Sequence, residues 1–498
     1  MGMTLCISDT TLSELSKFIA SRMGLHFPPE RWRDLARGVR SAAHDLEFAD
    51  AESCAHWLLS ATLTKSQLET LARHLTIGET YFFREEKSLD ALTNHILPNL
   101  IRSRRESERR LRIWSAGCST GEEAYTLAIL LDHLVANMEG WQVTILATDI
   151  NAQSLAKASE GVYGKWSFRG TPLWVKAKYF DRKEGDAYEV LPRIKKMVKF
   201  SLLNLAEDAF PSLWNNTNAM DVIFCRNVLM YFTPEQKQAV VRKFSSALAG
   251  GGWLVVSPSE LSNERFPDYT SVNFPGAILY QKRDHLLSAS PFLSVPPAID
   301  DGYSVAADPS PTAGDTDLLD ETSQPPEVSA LTASADTDAL TLYEQGHYTE
   351  ASVLLLQRVS DEPDDTAAHL LLARAYANQG ELAEALRWCE KAIAFDRTHA
   401  ASHCLRATIL QELMQTEEAT RALRRALFLD QRFVLAHYSL GNITRGQGKL
   451  REAEKHFENA LALLNSYSPK DALPESDGLT AGRLSEIIRT TNQMKASA

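Results

Sequence analysis

Residues 113–128 read IWSAGCSTGEEAYTLA. An apolar stretch passes through small residues into helix-forming ones, the outline of a strand, a tight glycine turn and a helix. With the strand ending at Ala116, the turn over 117–121 and the helix starting near Glu122, a ligand is expected at the carboxyl edge of a sheet. Turns of this kind usually hold a pyrophosphate on bare amides at the positive start of the helix. Here Glu122 and Glu123 occupy that first turn, and they would repel an anion a few ångströms away. The spacing is Gly-x-x-x-Gly, with Gly117 first, rather than G-x-G-x-x-G. A nucleoside without phosphates and with positive charge fits better, and S-adenosyl-L-methionine (SAM), a sulfonium with an ammonium, is such a ligand.

The flanks repeat the pattern. "LRIWSAG", "VTILATD", "MVKFSLLN", "MDVIFCRN" and "GGWLVVS" read as short apolar strands with helices between most of them. That alternation predicts a parallel sheet covered on both faces. Asp149 closes the second strand, where an acid is placed to accept both ribose hydroxyl protons. It would serve equally as the cap of the following helix, and Thr120 with Glu123 matches a capping box. Residues 10–75, by contrast, carry apolar side chains at helical spacing only.

The 498 residues exceed what one core usually supports, so two or three domains are expected. A net charge of −12 argues against a general nucleic-acid binder. There is no run of about 18 apolar residues and no secretory pattern at "MGMTLCISDT", which predicts a cytoplasmic protein. The cysteines at 6, 54, 118, 225, 389 and 404 form no close pairs and no metal spacing; reduced, buried thiols and no metal are expected.

From Asp284 through Gln357 there is no Lys or Arg, and 284–340 holds eleven acidic residues and seven prolines. This composition reads as an extended, disordered acidic linker. Beyond it a period of 34 sets in: Ala351, Ala385, Ala419 and Ala453; Ala392, Ala426 and Ala460; Gly346, Gly380 and Gly448. Small residues at this step resemble the tetratricopeptide (TPR) repeat. Four repeats are expected, over 332–365, 366–399, 400–433 and 434–467, closed by a helix in "LTAGRLSEIIRTTNQM". His369, His403 and His437 share the period and read as structural positions rather than metal ligands.

Three further stretches sharpen the reading: "LTIGETYFFRE" (75–85), "SLLNLAED" (201–208) and "DVIFCRNVLMYF" (221–232). With "WSAGCSTGEEAY" and "ATDIN" they resemble, in order and spacing, the CheR-type chemotaxis receptor methyltransferases, over about 10–283. The whole chain resembles the subset fused to TPR repeats. The resemblance implies a helical domain over 1–90, a Rossmann-like α/β SAM-dependent methyltransferase domain with a small β-insert over 91–283, the linker over 284–335 and a helical solenoid with its capping helix over 336–498. It implies cofactor contacts from Gly78, Thr80, Arg84, Gly117, Glu123, Asp149, Asn204, Leu205, Arg226 and Asn227, with Arg84 and Tyr231 at the reacting centre. Gly78 stands where many members carry Asn. Read without the family, Arg84 would be a stacking or ion-pair arginine and Tyr231 a core aromatic.

The family implies SAM-dependent methyl transfer to glutamate side chains on the cytoplasmic helices of chemoreceptors. The alternative is a SAM-sensing scaffold with weak or no catalysis. Arg33, Arg37 and Arg40 fall on one helix face and look like the basic surface that meets those acidic helices; the alternative is a solvated face with local ion pairs. The arginines of 102–112 read as a solvated connector. A short β-insert between Tyr179 and Phe200 predicts no strong binding of a receptor's C-terminal pentapeptide. The repeats offer a concave surface for an unidentified protein or peptide, and recruitment to membrane receptor arrays is expected.

Overall fold

The computed structural model describes residues 7–61, 63–104, 109–134, 140–261, 266–283 and 338–493. The acidic segment expected to be a linker, 284–335, lies outside them, as does the expected start of the first repeat. Four helices come first: α1 (Asp9–Met23), α2 (Trp32–Asp45), α3 (Ala51–Ser60) and α4 (Lys65–Leu75). Their starts are set by local chemistry. Ser8 accepts from the Thr11 amide, Asp50 from the Ser53 amide, and Thr64 with Gln67 forms a capping box. Leu15, Ile19, Leu35, Val39, Leu58 and Leu71 make their shared, fully buried core. On the outer side of α2, Arg33, Arg37 and Arg40 are exposed.

The α/β body follows: α5 (Glu86–Ala91), α6 (Leu97–Arg104), β1 (Arg110–Ala116), α7 (Glu122–Leu134), β2 (Gln142–Asp149) and α8 (Ala152–Glu160). An insert comes next, made of β3 (Val162–Tyr163), α9 (Leu173–Tyr179), β4 (Phe180–Arg182), β5 (Tyr188–Val190) and α10 (Pro192–Lys195). The body ends with β6 (Val198–Leu202), β7 (Met220–Phe224), α11 (Pro234–Ala247), β8 (Leu248–Val255), β9 (Tyr269–Phe274) and β10 (Ala277–Lys282). The main sheet runs β6-β2-β1-β7-β8-β10-β9. Its first five strands are parallel, and the order reverses at β1/β7, which brings the carboxyl ends of β1, β2, β6 and β7 to one crevice.

Two expectations need correction here. The sheet is mixed, not parallel throughout, because β9 and β10 are joined by the two residues Pro275 and Gly276, and so tight a turn returns the chain antiparallel. The insert is larger than expected: it begins at Val162, not after Tyr179, and forms a three-stranded antiparallel sheet, β3-β5-β4. An insert of three strands and two helices is not the short one from which no strong binding of a receptor's C-terminal pentapeptide is expected.

The repeats are helix pairs: α12 (Ala339–Glu344) with α13 (Tyr348–Asp361), α14 (Thr366–Gln379) with α15 (Leu382–Phe395), α16 (Ala400–Glu412) with α17 (Thr416–Leu429), and α18 (Val434–Gly446) with α19 (Leu450–Leu464). The closing helix is α20 (Ala481–Gln493). Ala351, Ala385, Ala419 and Ala453 are buried where the helices cross. Gly346, Gly380 and Gly448 turn the chain with φ of 81°, 89° and 78°; Met414 takes the same step with φ of 60°. The periodic histidines bond to backbone carbonyls, His369 to Asp365, His403 to Arg397 and His437 to Gln431.

The repeats fold back onto the body. The β6–β7 connection inserts Leu213 among Leu355, Val359, Leu372 and Leu405, and Trp214 donates from Nε1 to the Glu475 carbonyl at 2.9 Å. Asn218 donates to the Ala377 carbonyl on α14 at 3.2 Å. The β6–β7 connection is therefore packed into the repeat core and bonded to α14 and to the α19–α20 connection. This also corrects the reading of 102–112 as a solvated connector. Arg110 and Arg112 are buried at the start of β1 and pair with Glu412 of α16, Arg112 at 2.8 Å; Arg104 pairs with buried Asp221. The repeats cover the amino edge of the sheet, so the arginines there find carboxylates instead of water.

Candidate functional site

An open cleft of about 1080 Å³, counting space open to solvent, lies at the carboxyl edge of the sheet beneath the front helices. Its walls are Met23, His26, Phe27 and Arg31 from the α1–α2 connection, 75–80 with Arg84, 117–119 with Glu123, Asp149, 203–205, and 226–228 with Tyr231 and Phe232.

The turn after β1 explains what the cleft can take. Gly117 and Cys118 both donate their amides to the Thr148 carbonyl, at 2.7 and 2.9 Å. The Ser119 amide donates to Asp149 Oδ2 at 2.8 Å, and the Gly121 amide to the Cys118 carbonyl at 2.9 Å. These four amides are spent within the chain, so the turn offers none of them to a phosphate. Gly117 is required twice over: its φ is 82°, and a Cβ there would stand 2.3 Å from Val228 Cγ2.

The two glutamates divide. Glu122 is buried and turned into the protein, accepting from Thr120 Oγ1 at 2.7 Å and Ser167 Oγ at 2.9 Å. Glu123 lines the cleft, accepting from Ser115 Oγ and Arg226 Nε, both at 2.7 Å. The capping box read from Thr120 and Glu123 does not form. Only one of these two glutamates faces the ligand space, already beside a guanidinium, so the spent amides rather than a pair of acidic side chains at the helix start turn a phosphate away. Asp149 accepts from the Ser119 and Asn151 amides, one on each oxygen, and keeps further lone pairs for a ligand. Burial pushes its carboxyl above the ordinary aspartate value and those amides pull it back. Asn151, not Asp149, caps α8.

The stretch 78–85 is anchored through its middle. Phe82 is fully buried, stacked on Phe168 and edge-on to Tyr163 and Phe180 in the insert. This places Thr80 and Arg84 on the cleft to either side. Arg84 is flanked by Phe83 and Glu85, both in the left-handed region with φ of 61° and 56°. Its Nη1 donates to the Glu79 carbonyl at 2.8 Å, and its guanidinium lies 5.8 Å from the Tyr81 ring. Two further non-glycine residues of the cleft, Ser119 and Asn227, share that backbone region. Strained backbone of this kind concentrates at binding sites.

Tyr231 lines the cleft from the connection between β7 and α11. Its carbonyl accepts from the His26 amide at 2.7 Å, and the Arg31 guanidinium lies 5.2 Å from its ring. Buried Glu260 fixes the approach to it, accepting from the amides of Asn227, Met230 and Ser257.

Residues 78–274 match the CheR methyltransferase, SAM binding domain, and 342–409 a tetratricopeptide repeat. The chain is 35% identical to the chemotaxis protein methyltransferase of Borreliella burgdorferi over 51% of its own length and 89% of that protein. It belongs to the chemotaxis protein methyltransferase family. Chemotaxis protein methyltransferase 1 of Pseudomonas aeruginosa is 34% identical over 43% of this chain and 77% of that protein. Among solved structures, MamA 41-end from Desulfovibrio magneticus RS-1 is 20% identical over 26% of this chain and 73% of that chain, with a TM-score of 0.25.

The chain is thus a SAM-dependent methyltransferase of chemotaxis, fused to TPR repeats. Its cleft brings together all ten residues expected at the cofactor, and Tyr231 with them. Asn204 reaches it with a side chain already engaged, donating to the Arg22 carbonyl at 2.7 Å and accepting from the Ala206 amide at 3.0 Å. Arg33, Arg37 and Arg40 lie outside the cleft on the solvent face of α2, where Arg37 pairs with Asp34 at 2.5 Å. Sequence reasoning missed Arg31, which precedes that helix and enters the cleft, and Glu260. The Ser-x-x-Glu spacing of Ser257 and Glu260, a capping box, was the available signal for the latter.

Proposed function

We propose that the cleft transfers the methyl group of SAM to glutamate side chains on the cytoplasmic helices of chemoreceptors, as a protein-glutamate O-methyltransferase. The observation that carries this reading is that one cleft is lined by both kinds of group. Glu123 at the start of α7 and Asp149 at the end of β2 share it with Arg84 and with Arg31, whose guanidinium lies 5.2 Å from the Tyr231 ring. SAM supplies a methyl group on a sulfonium, for which a carboxylate is a sufficient acceptor. Asp149 would hold the ribose hydroxyls through its remaining lone pairs, and Glu123 the ammonium. A glutamate acceptor is already ionised at pH 7 and needs no base, so Arg84 and Tyr231, with Arg31, have only to orient its oxygens. The exposed Arg33, Arg37 and Arg40 suit an acidic receptor helix.

The test is incubation with SAM labelled in its methyl group and membranes containing receptors, followed by release of label with alkali. Alkali-labile label on receptors, lost in Arg84→Ala, supports the proposal. Full receptor methylation by Arg84→Ala would remove Arg84 from the reacting centre. A second reading, a SAM-sensing scaffold with little catalysis, draws on Gly78, which lacks the side chain many relatives use there. It predicts adenosylhomocysteine binding with no label transferred. No helix among the described residues is long and apolar enough to cross a membrane. With Leu213, Trp214 and Asn218 already on the repeats, an outside partner would use a different part of their surface or displace these residues.

A further inference from the structure

The wall of the cofactor cleft formed by 203–205 is held from behind by the repeat domain. Arg483, on the closing helix α20, donates from Nη2 to the Leu202 carbonyl and pairs with Asp208 Oδ2 at 2.7 Å. Both side chains are only 13% exposed. α20 is itself fixed, with Leu484 and Ile488 fully buried in the repeat core.

What Arg483 grips is the end of the strand that borders the ligand. Leu202 pairs in register with Asp149, and the Leu203 amide donates to the Asp149 carbonyl at 3.1 Å. Asp208 in turn accepts from the Asn204 amide at 2.6 Å and donates its own amide to the Asn204 carbonyl at 2.9 Å. The turn carrying Asn204 and Leu205 is therefore closed by Asp208, and Asp208 is held by Arg483. The front domain grips the same turn from the other side, through Arg22 and Glu207 at 2.9 Å.

We propose that Arg483 is a positioning residue for the cofactor: the closing helix of the repeats sets the β6 wall of the methyltransferase cleft, and the repeats work as a part of the enzyme. The guanidinium touches no ligand-lining atom directly; it acts through the Leu202 carbonyl and the Asp208 carboxylate. One guanidinium nitrogen, Nη2, meets both the carbonyl and the carboxylate, while Nη1 pairs with Glu486 on α20 at 2.6 Å and so fixes the group's orientation. The proposal rests on SAM binding alone, so it stands or falls independently of the glutamate acceptor.

The experiment is calorimetric titration of the full chain with adenosylhomocysteine, for wild type, Arg483→Ala, Arg483→Lys, Asp208→Ala and the Arg483→Ala/Asp208→Ala double variant. Arg483→Ala removes the bonds to the Leu202 carbonyl and to Asp208, and should weaken binding about tenfold. Arg483→Lys, which keeps the charge in a smaller donor and is the variant least prone to misfold, should recover part of that. Because the two residues act in series, the double variant should bind no more weakly than the worse single one. In methyl transfer the change should fall on KM for SAM with kcat little altered. Binding within twofold of wild type in both Arg483 variants, or losses at 483 and 208 that simply multiply, would overturn the proposal.

Discussion

The Arg226 guanidinium lies 2.7 Å from the Glu123 carboxylate, with only 3% of its side chain exposed, and the same guanidinium reaches Glu85 at 3.6 Å and donates to the Arg84 carbonyl at 2.7 Å. One buried cation thus ties the helix after the SAM-side turn to the segment bearing Arg84. Replacing it leaves two carboxylates in a poorly hydrated place. Arg226→Met is expected to lower stability by about 3–5 kcal/mol, the usual cost of breaking a buried pair from one side, and to abolish adenosylhomocysteine binding. Urea denaturation followed by circular dichroism would check the first, and a loss under 1 kcal/mol would refute it.

Gly78 invites the opposite experiment. A Cβ there would meet only Ser119 Oγ, at 3.2 Å, and that small side chain can turn aside. Gly78→Asn should therefore fold normally and tighten adenosylhomocysteine binding by roughly fivefold, the worth of one hydrogen bond. If titration shows equal or weaker binding, the glycine is no deficit.

Met414 adopts φ of 60° where the other repeats place glycine. Left-handed backbone costs a residue with a Cβ about 1–2 kcal/mol, partly offset by the greater unfolded freedom of glycine. Met414→Gly should stabilise the chain by about 0.5–1 kcal/mol, since the side chain is exposed and little packing is lost. A lowered midpoint in thermal unfolding would count against it.

His437 and His456 meet through their Nδ1 atoms at 3.2 Å, and His437 Nε2 donates to the Gln431 carbonyl. That leaves His437 Nδ1 as acceptor, so protonating it sets two N–H groups against each other. Burial holds both rings below the ordinary histidine value; for His456 the neighbouring ring adds to this. Below pH of about 6.5 the unfolded chain then binds more protons than the folded one, and stability falls as pH drops. Wild type should lose more thermal stability than His456→Gln between pH 7.5 and 5.5; parallel curves would dismiss the pair as a contributor.

The parts of this architecture visible in the sequence were those with local causes. The strand–turn–helix at 113–128, the period of 34 and the cleft residues in short motifs all express contacts between near neighbours. What escaped has partners far away in the chain. Arg110 and Arg112 looked solvated because Glu412, which buries them, lies about 300 residues on. Glu122 and Glu123 were both read as repelling an anion because Ser167, which holds Glu122 inward, lies 45 residues on. That the turn's own amides are taken could not be read locally, because the Thr148 carbonyl that accepts from Gly117 and Cys118 belongs to the neighbouring strand.

Leu213 and Trp214 give the molecule an unexpected indivisibility. A gene split in the acidic stretch would encode two fragments, each with a raw apolar scar: one presenting an indole and a leucine to water, the other the repeat side chains packed with that leucine, with Arg110 and Arg112 stripped of Glu412. What resembles two modules on a string should behave in the laboratory as a single object that tolerates dissection poorly.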